Sequence, residues 1–362
     1  MAVLTAAQSR ALEHVRAIAA ARQNYALEKL QALIGHTDGE FADIPSILSH
    51  IRTHARVTLN FHPDRMLPDG RTVIEGLLRD GLYSSQFETG ISNGSRTAYP
   101  GGDRDRWELS LFGGAYQTVG CKPEERPKYG ALNVMDYPDG AAPRFGSCYI
   151  RLRQGVTDRC TFTFGDSHTG PDCVGTGDNL APLFVALLDA ADQSGHALGA
   201  PAADAAAVVR RLLAAAGSQN MPVEPGRALD DYIEAQVHGP IALAADAEAL
   251  IADPSFRGTT VGEQLAACCR NHGIALLWHG GFGLASSDVS ADFRGPAMPP
   301  LARRVDRAFS ATPGRLDAAC VGRAAASLHR HPEQWSDWGT PADTLQHLKQ
   351  LWHVIVKYGQ PL

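Results

Sequence analysis

Three segments of this chain alternate with period 2, and the chemistry of their second face limits the fold more than any other feature. "YIEAQVHGPI" (232–241) places Ile233, Ala235 and Val237 on one side. Tyr232, Glu234, Gln236 and His238 lie on the other, and Gly239–Pro240 ends the run. "VTLNFH" sets Val57, Leu59 and Phe61 against Thr58, Asn60 and His62, and "CTFTFGDS" sets Cys160, Phe162 and Phe164 against Thr161 and Thr163. Strand faces bathed in water ordinarily carry Lys, Arg, Glu or Asp, the residues that are most reliably exposed. These faces carry hydroxyls, amides and imidazoles with a single acid, groups that give and take hydrogen bonds. The pattern predicts three strands that line a shared cleft.

The length of 362 residues, 44% of them hydrophobic, is enough for a core that stands without disulfides or a structural metal. A formal net charge of −6 argues against a nucleic-acid partner, because phosphate-backbone binding draws on a basic surface. Seven cysteines without a CxxC pair read as reduced thiols, with the vicinal Cys268–Cys269 packed in a helix. The N-terminus has no basic region followed by an unbroken apolar run, and no apolar run approaches the roughly 20 residues of a membrane span. The expectation is a cytoplasmic protein without membrane contact; export by a Sec-independent route is compatible with it.

The chain divides into three regions by pattern. Residues 1–55 are helical, with Leu12, Val15, Ile18 and Ala19 as one stripe and Asp43 as the N-cap of a second helix. Residues 56–275 form an α+β unit interrupted by a helical insertion over 179–216, with the β content concentrated between Arg56 and Ile241. Residues 276–362 return to helix, in patterns around 298–310, 313–329 and 341–358, and pack on the core.

Between the first and second polar-faced strands runs "GLLRDGLYSSQFETGISNGS", then "GGDRDRWELSLFGGAYQ", punctuated by Gly81, Gly90, Gly94, Gly101, Gly102, Gly113 and Gly114. Gly at this density beside Tyr83, Ser84, Ser85 and Gln86 marks a loop whose backbone comes close to a ligand. Neither GxGxxG after a strand nor GxxxxGK[ST] occurs, so neither a Rossmann turn nor a P-loop is indicated. Arg126, Lys128 and Arg144, next to the aromatic Tyr129 and Phe145, are candidates for anion contact.

Taken in order, "TLNFHPDR", "VIEGLLRDGLYSS", the polar-faced strands and a late strand with Glu near its start resemble the ADP-ribosyltransferase superfamily. The stretch 45–330, with "LNFHPDR", "SQFETGISNG", "RPKYGALN" and "EAQVHGPI", also looks like an uncharacterised bacterial and fungal family. The superfamily resemblance implies a split β-sandwich core around NAD, which is consumed as a substrate. It implies His62 at the first-strand position, with Arg65 as the fallback. Thr161 and Thr163 stand at the middle-strand position, where Tyr129 competes, and Glu234 is the late-strand catalytic acid. Gln236 would line the ribose pocket, and Tyr83 and Tyr129 would stack on nicotinamide. Catalysis would then rest on Glu234, His62 and Thr163, with His62, Arg65, Tyr83, Ser84, Ser85, Gln86, Arg126, Tyr129, Thr161 and Gln236 holding NAD. The acceptor of ADP-ribose would be a protein or a small molecule. The position two before Glu234, which is Gln or Glu in Arg-modifying members, is Tyr232 here.

Three other readings compete. Water as acceptor would make the chain an NAD glycohydrolase. His62, Asp64, Asp166, His168 and His238 offer the donor types of a metal-dependent hydrolase, without a recognised ligand spacing. A non-enzymatic binding module would leave the polar strand faces apart.

Overall fold

The fold is that of a computed structural model, which describes residues 3–34, 43–91, 98–170, 172–215, 226–227 and 229–362. Gly94 of the glycine-rich stretch and residue 216, the end of the expected insertion, lie outside the described residues. Eight strands form one sheet: β1 (Arg56–Phe61), β2 (Lys128–Asn133), β3 (Cys148–Leu152), β4 (Cys160–Phe164), β5 (Val174–Thr176), β6 (Ile233–Val237), β7 (Ala247–Ala252) and β8 (Ala275–Trp278). Their order across the sheet is β8-β7-β3-β1-β2-β6-β4-β5. The pairing is antiparallel except between β7 and β8.

The class is α+β, as the pattern predicts. A continuous sheet stands where two small sheets are expected, because β1 hydrogen-bonds to β2 on one side and β3 on the other and so joins the halves. The β content also runs past Ile241: β7 and β8 follow it, and β8 crosses the 275/276 boundary. Their sequences, "AEALIA" and "ALLW", are short apolar runs, which periodicity alone cannot separate from buried helix.

Ten helices of eight residues or more are described: α1 (Ala6–Ile34), α2 (Ile44–His54), α3 (Val73–Asp80), α4 (Asp103–Leu111), α5 (Ala181–Ser194), α6 (Ala205–Ala215), α7 (Thr260–His272), α8 (Met298–Phe309), α9 (Ala318–Arg330) and α10 (Pro341–Tyr358). Helix α2 starts as its sequence requires, with Asp43 accepting from the Ser46 amide at 2.8 Å. Helix α3 carries a capping box, Thr72 with Glu75, and ends on Gly81 at φ 65°, a left-handed conformation that Gly adopts without steric cost. Val57, Leu59, Phe162 and Ile233 on the apolar sheet face share one core with Leu183 and Leu187 of α5. Helix α1 packs on α5 and β5, with Leu12, Val15 and Ala19 buried and Ile18 half-buried. All seven cysteines are unpaired, and Cys268 and Cys269 are buried.

The polar faces are also buried. Thr58, Thr161, Thr163, Gln236 and His238 are at most 1% exposed and Asn60 7%. Strand β2 joins the polar-faced strands because Gly130 allows close approach: a Cβ there would stand 2.5 Å from the Thr58 carbonyl oxygen. Gly130→Ala therefore forces β1 and β2 apart, and urea denaturation is expected to show a loss of about 2–3 kcal/mol.

Candidate functional site

Register decides which side chains meet. Across β2, β6 and β4, Tyr129 lies opposite Gln236 and Gln236 opposite Thr161; one step on, Ala131 lies opposite Glu234 and Glu234 opposite Thr163. Directly paired residues point to the same side of a sheet, so all six share one face. A cleft of about 460 Å³ opens over the β1–β2–β6 part of that face. His62, one residue beyond the end of β1, forms one edge, and α3 with the following Tyr83 forms a wall. Helix α4 covers the rest.

Glu234 is on the floor of the cleft and is only 5% exposed. Burial pushes its carboxyl up to about 7, the nearby Asp166 adds to the rise, and Ser167, Arg104 and Gln236 oppose it. Asp166 is held there by Tyr232, whose hydroxyl donates to it at 2.9 Å, and by Arg144 at 3.5 Å. Tyr232 thus brings a second carboxylate to the site.

A chain of buried hydrogen bonds leads to Glu234 along the same sheet face. The Gln236 amide donates to Glu234 Oε1 at 2.9 Å, and the Thr161 hydroxyl donates to Gln236 Oε1 at 2.8 Å. With its one proton used, Thr161 Oγ1 accepts from His238 Nε2 at 3.1 Å. His238 Nδ1 is then unprotonated and accepts from Tyr116 at 2.5 Å. Burial chiefly, with Arg159 and Lys128, lowers the His238 pKa to about 3, which keeps the ring neutral as this order requires. Every donor points the same way, towards the carboxylate, an arrangement in which each bond polarises the next.

Helix α4 presents Arg104, Glu108 and, just past its end, Phe112 to the sheet, at the i, i+4, i+8 spacing of one helical face. The Tyr129 hydroxyl donates to Glu108 Oε1 at 2.9 Å, and Glu108 Oε2 accepts from Arg126 at 2.7 Å. The Arg104 guanidinium lies 4.4 Å from the centre of the Tyr129 ring. Arg104 lines the cleft, is 8% exposed, and has Nε and Nη1 without a hydrogen-bond partner. Sequence reading missed Arg104 and Glu108. The only available signal was their four-residue spacing, since the buried face of α4 is charged and has no apolar stripe.

The structure brings together His62, Arg65, Tyr83, Ser84, Gln86, Tyr129 and Glu234 on the cleft wall. Five expected contact residues are elsewhere. Thr163 donates to the Gly165 carbonyl at 2.9 Å and, like Thr161 and Gln236, is buried on the same face outside the cleft. Ser85 caps a one-turn helix (Gln86–Thr89) and donates to the Pro123 carbonyl at 2.8 Å. Arg126 is locked between Asp105 at 2.6 Å and Glu108. Each is a polar residue whose hydrogen bonds are spent on the protein, and such residues read in sequence like ligand contacts. Burial and Arg65 lower the His62 pKa to about 3, and its ring meets Trp352 of α10 edge-on at 5.3 Å. Among the described residues, no three or more His, Cys, Asp or Glu side chains stand close enough to hold a metal ion.

The cleft therefore offers a carboxylate poised near neutrality, a neutral imidazole, a phenol and a buried guanidinium. Thr161→Val cuts the donor chain at its centre and leaves buried groups unsatisfied, so it should cost about 1–3 kcal/mol. The Glu234 pKa should rise above that of the wild type, while Thr161→Ser restores it. Carbon-13 NMR titration of the Glu carboxyls, assigned with Glu234→Gln, checks this.

The chain is 28% identical over 182 residues to the Gene 2 protein of Mycobacterium phage D29, an alignment that covers 46% of this chain. It spans 64% of that relative's length. A family model described as "Protein of unknown function (DUF3626)" matches residues 56–358, which include every strand of the sheet and helices α3 to α10. The chain belongs to the DUF3626 family.

Proposed function

We propose that the cleft is an ADP-ribosyltransferase site, with NAD as the substrate and a protein or small molecule as the acceptor. The observation that carries this reading is the Glu234 carboxylate, nearly buried on the cleft floor, with Tyr129 and His62 on the walls of the same cavity. Cleaving the nicotinamide–ribose bond sends the bonding electron pair to nicotinamide, which leaves neutral, and develops positive charge on the ribose. This is the oxocarbenium-like charge familiar from glycoside cleavage. A fixed carboxylate in a water-poor site stabilises that charge better than water does. The acceptor's nucleophilic atom then takes the ribose carbon and loses its proton.

The volume is in the range of small-molecule and cofactor sites. Tyr83 and Tyr129 supply aromatic faces for the nicotinamide ring. His62, neutral at physiological pH, can exchange hydrogen bonds with a ribose hydroxyl. For the middle position the geometry favours Tyr129 over Thr163, since Tyr129 lines the cleft and Thr163 does not.

Incubation of the purified protein with NAD and candidate acceptors is expected to release nicotinamide, measured by chromatography. Glu234→Gln should lower the rate by about 10²–10³-fold. Release without acceptor, with free ADP-ribose as co-product, would identify water as the acceptor. No release under any condition, or wild-type turnover by Glu234→Gln, would sink the reading.

The active form is the carboxylate, so kcat/KM should rise with pH through about 7 and level off above it. Asp166 raises the Glu234 pKa, so Asp166→Asn removes a like charge and should move that midpoint to lower pH. A pH profile of each variant measures the shift.

A further inference from the structure

The stretch "GDSH" (165–168) offers an Asp and a His to a metal by its sequence, and the structure gives the pair a different use. A single 3₁₀ turn, Ser167–Thr169, follows shortly after β4. Its cap, Asp166, lines the cleft. Ser167 is among the groups that act on the Glu234 carboxyl. His168 comes next, with its side chain 50% exposed, one hydrogen bond outward from the cleft wall.

The pair is fixed from several sides. Asp166 Oδ1 accepts from His168 Nδ1 at 2.8 Å and from the His168 backbone amide at 3.1 Å. Asp166 Oδ2 accepts from the Tyr232 hydroxyl at 2.9 Å and lies 3.5 Å from Arg144, which Asp230 also engages. Trp107 of α4 packs against the His168 ring, with 5.7 Å between the ring centres. Burial works against the ionised form of Asp166, but the hydrogen bonds from His168 and Tyr232 outweigh it and hold the carboxyl below its ordinary value. Glu234 is pushed the other way, to about 7. Neighbouring carboxyls driven apart in this manner are suited to different tasks.

An ionised carboxylate can only accept a hydrogen bond. In the neutral His168 ring the proton therefore sits on Nδ1 and the lone pair on Nε2. An imidazole held in one tautomer by a carboxylate, with its second nitrogen open, is the arrangement of a general base.

Transfer of ADP-ribose leaves the acceptor's proton to be taken up. We propose that His168 is the general base that takes it, with Asp166 as the positioning residue, and that the acceptor is a protic group such as a hydroxyl. As a lone pair of the acceptor atom bonds to the ribose carbon, its proton passes to His168 Nε2, and the electrons of the broken bond stay on the acceptor atom. The imidazolium that forms is stabilised by the Asp166 carboxylate and gives the proton to water. The assignment rests on the transferase reading of the cleft and adds to it a residue outside the cleft wall.

The test follows nicotinamide release from NAD by the full-length protein, well above the Glu234 midpoint, with methanol or sodium azide as the acceptor. Methanol must lose a proton on transfer and azide has none to lose; the methyl and azido ADP-ribose products are quantified by mass spectrometry. His168→Gln is expected to lower transfer to methanol by about 10²-fold or more, and azide to restore turnover. Asp166→Asn should lower transfer to methanol in the same direction. Nitrogen-15 NMR of the neutral His168 ring should show the proton on Nδ1 in the wild type and lose that preference in Asp166→Asn. A turn that is merely structural would depress both acceptors alike. Equal loss with methanol and azide, undiminished transfer to methanol by His168→Gln, or a wild-type ring protonated on Nε2 overturns the assignment and leaves the NAD reading standing. A wild-type protein that releases no nicotinamide with either acceptor removes the NAD reading and the base with it.

Discussion

The structure depends on a polar sheet face that is buried and must have its hydrogen bonds met from within. Thr58, Thr161, Thr163, Gln236 and His238 are sealed from water, and each unpaired group there would cost on the order of 1–3 kcal/mol. The register of β2, β6 and β4 meets most of this demand by placing Tyr129, Gln236 and Thr161 in one row and Glu234 and Thr163 in the next. Tyr116 and helix α4 meet the rest from above, through His238 and Tyr129. A one-residue slip in β6 would turn Glu234 and Gln236 into the apolar core and bring Ala235 to the cleft. The hydrogen-bonded network and the hydrophobic core therefore specify the same register.

The same constraint gives Glu234 the fixed setting that the proposed chemistry requires. A carboxylate packed among satisfied dipoles cannot relax when charge develops beside it, which is the basis of electrostatic stabilisation of a transition state. Its environment is balanced. Burial and Asp166 favour the neutral acid, while Arg104 and the Gln236 amide favour the anion, and the pKa settles at about 7. His238, three hydrogen bonds away, keeps a neutral ring and so preserves the direction of the donor chain. The C-terminal helices take part as well: α10 places Trp352 against His62 and Lys349 in the small cavity beside the cleft, about 290 residues along the chain from β1.

Much of the site could be read from local pattern, and what could not has a common cause. His62, Tyr83, Ser84, Gln86 and Glu234 are marked by a strand end, a glycine-rich loop or strand parity, Arg65 and Tyr129 by the superfamily resemblance, and all reach the cleft. Thr161, Thr163 and Gln236 have the same parity, yet are buried beside the cleft, because alternation says which face a residue shares and not how far along the sheet the cleft extends. Ser85 and Arg126 have the right chemistry but are occupied by a helix cap and an ion pair. Arg104 and Glu108 went unseen because a charged helix face reads as solvent-exposed until a polar sheet is found beneath it.

The sequence by itself determined the α+β class, the start of α2 through its capping residue, and the two faces of β1, β4 and β6. These follow from interactions within a few residues: steric alternation along a strand and side chains that satisfy a helix's first amides. The tertiary structure alone decided that the polar faces are buried, that β1 joins β2 and β3 into one sheet, and that α9 and α10 close the small cavity beside His62. Those outcomes depend on pairings between residues far apart in the chain, and the residues that make them, such as Gly130, Gly322 and Lys349, show nothing unusual to their sequence neighbours.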